Sequence, residues 1–176
     1  PGLGLTLNEL GKAYSRGERY ADAEPLLRDT LERQGRTLGE EHPRTLSTLN
    51  SLALAYKGLG RYDAAEHLLL DTLARKERIL GPENPNTLNT LASLARLYVE
   101  QGRYTEAEPL AERVVTARRH VQPGQAATAT AQGLLAEVYL KEGRLAEAET
   151  LARASLEGLL AARGAEHSDT QAAAVL

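Results

Sequence analysis

The sequence contains no cysteine, methionine, tryptophan or phenylalanine. The lack of cysteine removes every thiolate-based metal pattern and is compatible with a reducing, cytoplasmic setting. The lack of the other three leaves leucine, alanine, a few valines and tyrosine to fill any core. Leucine and alanine are strong helix formers, so an all-helical chain with close small-residue contacts is expected. Neither charge predominates: the net charge is −3, with both signs interspersed. A basic stripe for nucleic acid is therefore absent. No apolar run approaches the ~20 residues that span a bilayer, so neither nucleic acid nor a membrane is an expected partner. The chain opens on Pro1-Gly2-Leu3 with no signal-peptide pattern and no initiator methionine, which reads as a mature or expressed fragment.

Self-similarity is the strongest feature present. The stretch from Thr48 to Tyr62 returns 42 residues later: Tyr56 becomes Tyr98, Gly60 becomes Gly102, Arg61-Tyr62 becomes Arg103-Tyr104 and Ala65-Glu66 becomes Ala107-Glu108. Stepping back 42 reaches Tyr14, Arg19-Tyr20 and Ala23-Glu24, and stepping forward 41 from the third copy reaches Tyr139, Gly143 and Ala148-Glu149. All seven tyrosines occupy two repeat positions. A fixed period of this length is the signature of a repeat array. The expected repeats cover residues 3–42, 43–84, 85–125 and 126–167, with 168–176 the start of a truncated fifth, all in a single repeat domain of 1–176.

Each copy reads as two helices. In the second copy, Leu49, Leu52, Ala53 and Tyr56 fall at steps of three and four, one face of a helix from about Pro43 to Lys57. Gly58-Leu59-Gly60 ends it. The partner helix is expected to start at Asp63, with Glu66 completing a capping box, as Thr105 and Glu108 do one copy later. Its apolar stripe is Ala65, Leu68, Leu69, Thr72, Leu73 and Leu80. Gly81 then supplies a left-handed cap, and Asn84-Pro85 restarts the chain. His42-Pro43 plays the same part, so His42 and His167 read as cap residues rather than ligands. Pro25 and Pro109 fall near the first turn of second helices, where a missing N–H costs least. In the fourth copy Gln132 replaces the recurring leucine, and looser packing is expected there.

Catalytic chemistry finds no support. No two histidines have metal-ligand spacing, the glycines are scattered at turns rather than gathered into a phosphate loop, and no serine sits in a nucleophile elbow. The recurring Glu24, Glu66, Glu108 and Glu149 read as helix-start acids, and Tyr14, Tyr56, Tyr98 and Tyr139 as partly buried core rather than a stacking ladder. No cofactor, no metal and no enzyme activity are expected.

These motifs resemble the tetratricopeptide repeat, in the 42-residue variety of kinesin light chains and many bacterial proteins. The Leu-x-x-Leu-Ala-x-x-Tyr helix, the Gly-Arg-Tyr turn and the Leu-Gly-x-x-x-Pro-x-Thr linker (Leu38, Gly39, Pro43, Thr45; Leu80, Gly81, Pro85, Thr87) carry the resemblance from about Leu5 to Thr170. It implies an all-α, right-handed superhelix of about four antiparallel helix pairs, whose first helices line a concave groove for a peptide or partner protein. The inward positions it assigns are Asn8, Lys12, Ser47, Asn50, Leu54, Lys57, Asn89, Arg96 and Val99. Asn8 and Asn50 match asparagines that hold a peptide backbone in the family. Ala92 and Gly133 stand there in later copies, so half of that clamp is missing. Lys12, Lys57 and Arg96 favour an acidic segment, and Leu54, Val99 and Leu140 are expected to be exposed. Arginines of the second helices (Arg28, Arg33, Arg75, Arg78, Arg113) are expected to keep the opposite face soluble. The leading expectation is a non-catalytic interaction scaffold, a monomer or weakly self-associating through its open C-terminal edge. The alternatives are a regulatory segment of a larger bacterial signalling protein with an ATPase, kinase or protease domain, and an engineered or structural spacer.

Overall fold

The computed structural model describes residues 19–121 and 126–163. Seven helices and no strand occur among the described residues: α1 (Tyr20–Leu38), α2 (Pro43–Gly58), α3 (Tyr62–Leu80), α4 (Pro85–Glu100), α5 (Tyr104–Val121), α6 (Ala126–Lys141) and α7 (Leu145–Arg163). They fall into two compact units that divide between Ser93 and Leu94, within α4. The expected fifth copy, and Asn8, Lys12 and His167, lie outside the described residues.

In the first unit α1 packs on α2 and α2 on α3. Ala23 and Leu27 of α1 meet Leu52 and Ala55 of α2, and Leu31, Tyr56 and Leu68 close around them. The α3 stripe is buried at Ala65, Leu69, Thr72 and Leu73, whereas Leu68 is only half-buried. Buried threonines bond their own helix: Thr30 Oγ1 donates to Leu26 O at 2.7 Å and Thr48 Oγ1 to Arg44 O at 3.1 Å. That local bond lets a polar side chain stand in a core.

The linkers before α2 and α4 follow one design. Asn84 Oδ1 accepts from Asn86 N at 2.9 Å and His42 Nδ1 from Arg44 N at 3.1 Å, so both cap a helix that opens on proline. Gly39 and Gly81 each have φ +93° and ψ 157°, an extended positive-φ region open essentially to glycine alone, rather than the left-handed helical region. Pro25 and Pro109 lie inside α1 and α5, past the first turn. Both are exposed, where the carbonyl that loses its N–H partner can turn to water.

In the second unit α5 packs on α6 and α6 on α7. The expected loose packing of the fourth copy is not found. A Cβ on Gly158 would lie 2.8 Å from Ala129 Cβ, and one on Gly133 would lie 3.0 Å from Ser155 Oγ. The missing side chains let α6 and α7 approach instead of leaving a gap. Gln132 is itself buried, as are Leu134, Leu135, Ala136 and Val138.

Candidate interaction surfaces

Ser47, Asn50, Leu54 and Lys57 follow one another at steps of three and four along α2, and all four are half-buried. They form one continuous stripe. The Oδ1 of Asn50 is shielded and has no hydrogen-bond partner among the described residues. On α4, Asn89 and Arg96 are exposed. Val99 is 6% exposed, a correction to its expected place on an open face. It joins Leu94, Ala95, Leu97 and Tyr98 in a segment buried on nearly every side. Leu54 is half-buried, and Leu140 is exposed as expected.

The charged positions are organised differently from the capping boxes that the sequence suggests. The helix cap preceding α3 is Arg61, which makes no side-chain cap bond, and Asp63 lies within the first turn. The recurring glutamates fall two residues too late to fold back on a helix start. Glu24 and Glu108 reach the neighbouring copy instead, while Glu149 bonds Arg153 of its own helix. Arg61 donates to both oxygens of Glu24 at 3.0 and 2.9 Å, and Arg144 donates to Glu108. Three turn arginines also lie over the tyrosine that precedes them: Arg61 is 5.9 Å from the Tyr56 ring centroid, Arg103 is 4.1 Å from Tyr98 and Arg144 is 3.7 Å from Tyr139. A guanidinium on a ring face is favourable. Glu147, followed by Glu108, pushes the Arg144 guanidinium to higher basicity, and Arg144 holds the Glu147 carboxyl below its usual range. Arg28 is likewise no mere solubilising residue: its Nη2 donates to Tyr56 Oη at 2.7 Å. Arg78 bonds Glu41 in the linker before α2.

One inward position of the second helices had no signal in the sequence. Gln34, Lys76, Arg118 and Leu159 occupy it in successive copies, and all are buried. Lys76 Nζ donates to Thr90 Oγ1 at 2.8 Å and to Asn86 O at 3.2 Å, and burial pushes its pKa down to about 8. Arg118 does the equivalent, donating to Ala127 O. These long chains tie the end of one copy to the start of the next. The positions were missed because a polar residue on a helix ordinarily reads as surface.

The second unit also holds a cleft of about 650 Å³ between α5 and α7. Leu135 and Tyr139 of α6 line it together with Glu112 and Val115 of α5 and Leu151 of α7. The Tyr139 phenol donates to Glu112 Oε1 at 2.9 Å. Burial, and then Glu112, raise the Tyr139 pKa, so the phenol stays protonated. Among the described residues no three His, Asp or Glu side chains gather closely enough to hold a metal ion. None of the described helices is long and apolar enough to cross a membrane.

Family models for the tetratricopeptide repeat match residues 3–78 and 59–120 in one case and 92–165 in another. Two crystal structures of Podosopora anserina kinesin light chain nearly identical TPR-like repeats, one carrying a substitution, are similar to the chain. Each is 28% identical, covers 96% of this chain and 80% of its own, and superposes with TM-scores of 0.77 and 0.76. BtubC (BKLC) from P. vanneervenii shares the fold at TM-score 0.78 with 22% identity, over 90% of this chain and 64% of its own. No curated protein matches the chain.

Proposed function

Since the chain belongs to the tetratricopeptide repeat family, all-α solenoids whose repeats generally mediate protein–protein interaction, we propose that it is a non-catalytic scaffold that holds a peptide or partner protein against its first helices. Recognition on this reading uses shape and a few polar contacts, with no covalent step, in a cytoplasmic setting. The observation that carries it is the α2 stripe, and within it the partnerless Oδ1 of Asn50. An acceptor shielded from water without a donor forfeits roughly 1–3 kcal/mol. A small rotation of the amide would let that oxygen meet the N–H of an extended main chain, with the amide N–H₂ free to donate in return. Lys57 on the same stripe and Arg96 on α4 give the reading its charge preference, an acidic segment.

A displayed peptide library panned against the chain tests this. Peptides enriched by the wild type should be acidic, and Asn50→Ala should weaken them about tenfold, the worth of one well-placed polar contact. Arg96→Glu, examined separately, should shift selection away from acidic residues. Selected peptides that bind Asn50→Ala as tightly as wild type would move the site off α2.

A further inference from the structure

The cleft between α5 and α7 has a counterpart inside the first unit, and there an arginine of the chain itself lies across it with its side chain 60% exposed. Arg28 of α1 lies over Tyr56, 5.7 Å from the ring centroid, and its guanidinium donates to the phenol oxygen at 2.7 Å. In the second unit the position of Arg28 is held by Glu112 and that of Tyr56 by Tyr139. The walls are smaller too. Leu31 becomes Val115, Glu32 becomes Thr116 and His67 becomes Thr150. The pocket is thus the space an arginine side chain occupies one unit earlier.

The charges agree with the shape. Around Tyr56 one carboxylate, Glu24, bonds two guanidiniums, Arg28 and Arg61. Around Tyr139 the ratio inverts. The carboxylates of Glu108, Glu142 and Glu147 all bond the single guanidinium of Arg144, while Glu112 bonds only the phenol. We propose that this cleft receives an arginine side chain from a partner protein, its aliphatic stem on Val115, Leu135 and Leu151 and its guanidinium between Glu112 and Tyr139. The Tyr139 oxygen donates its proton to Glu112 and already faces the Arg144 guanidinium, which leaves one acceptor direction for the guest, the direction in which Tyr56 accepts from Arg28. The second oxygen of Glu112 accepts alongside it, which suits the planar fork of a guanidinium. Arg119 also lines the cleft, but two helical turns beyond Glu112, about 10 Å along α5.

The proposal stands apart from the peptide-binding reading of α2, and its test separates the two. Nα-acetyl-arginine methylamide is titrated into isotope-labelled full chain while the amide and side-chain signals of Thr116 and Thr150 are followed by NMR. The citrulline analogue, nearly the same shape without the charge, is the control. The expected result is saturable shifts at the cleft in the millimolar range, with the citrulline compound weaker by about tenfold. Asn50→Ala should leave this binding unchanged, and Glu112→Arg, which restores the residue of the first unit, should abolish it. Should Glu112→Arg not fold, as judged by circular dichroism, Glu112→Gln serves in its place with an expected loss of about tenfold. Absence of shifts at the cleft, equal binding of the arginine and citrulline compounds, or full binding by either Glu112 variant would overturn the proposal.

Discussion

Lys76 is 2% exposed, and its hydrogen-bonded partners are a carbonyl and a hydroxyl rather than a carboxylate. Its pKa falls from 10.5 to about 8 because burial penalises the charged form. Below about pH 8 the folded and unfolded chains both carry the proton. Between 8 and 10.5 the unfolded chain binds more, so stability rises with pH across that window. The gain is on the order of 3 kcal/mol. Lys76→Gln, the residue that Gln34 supplies one copy earlier, should flatten the rise while keeping a hydrogen-bonding head. Urea denaturation of both proteins at pH 7.5 and pH 10 measures the difference, and parallel slopes would refute the assignment. Packing offers a second test at this scale. The periodicity puts Leu68 and Leu69 on one apolar stripe, but Leu69 is fully buried and Leu68 half-buried. Leu69→Ala should cost roughly 2–5 kcal/mol and Leu68→Ala about half of that. Equal midpoints in urea for the two variants would contradict this order. Periodicity names the face, but the depth within it depends on what the neighbouring helices cover.

Two kinds of helix start can be compared, those of α2 and α4 and those after the Gly-Arg turn. Those that open on proline are capped by the residue before it, and the sequence shows this plainly because Asn84-Pro85 and His42-Pro43 carry cap and proline together. Asn84→Ala removes the acceptor for Asn86 N and should lower stability by about 1 kcal/mol. Asn84→Asp, which keeps an oxygen there, should lie within a few tenths of wild type in the same thermal melts. A loss in the aspartate variant equal to that in alanine would show that the oxygen is not what matters. Starts after the Gly-Arg turn misled the sequence reading. Asp63 with Glu66 has the spelling of a capping box, yet Arg61 occupies the cap. Two of the repeated glutamates bond an arginine of the following copy, Glu24 to Arg61 across 37 residues and Glu108 to Arg144 across 36. A motif read within one helix cannot disclose a contact that reaches the next repeat. The same holds for Tyr139, whose phenol bonds Glu112 of the preceding copy. Tyr139→Phe should therefore cost about 1 kcal/mol despite keeping the ring, and an unchanged melting temperature would remove that bond from the account.

Across the whole chain the 42-residue period made the helix pairs, their linkers and the family legible, because each repeats its spelling. The cleft between α5 and α7 was illegible for the complementary reason. It arises where the spelling changes, at Glu112, Thr116 and Thr150, and single changes within a repeat read as surface variation until the helices around them are placed. Net charge acts at this scale as well. A charge of −3 viewed from about 20 Å in water opposes each incoming negative charge by roughly 0.6 kcal/mol before screening. The Debye length is about 30 Å at 10 mM salt and about 8 Å at 150 mM. Screening thus leaves about half of that opposition at low salt and almost none at physiological salt. For a peptide with three net negative charges, the proposed class for the α2 stripe, the low-salt opposition sums to roughly 1 kcal/mol. Its association rate should therefore rise about fivefold between 10 and 150 mM salt. Its dissociation rate should rise as well, as local attraction to Lys57 and Arg96 is screened. Stopped-flow mixing of such a peptide with the chain measures both rates. An association rate that falls with salt would mean that the local positive charge of the binding face outweighs the field of the whole molecule.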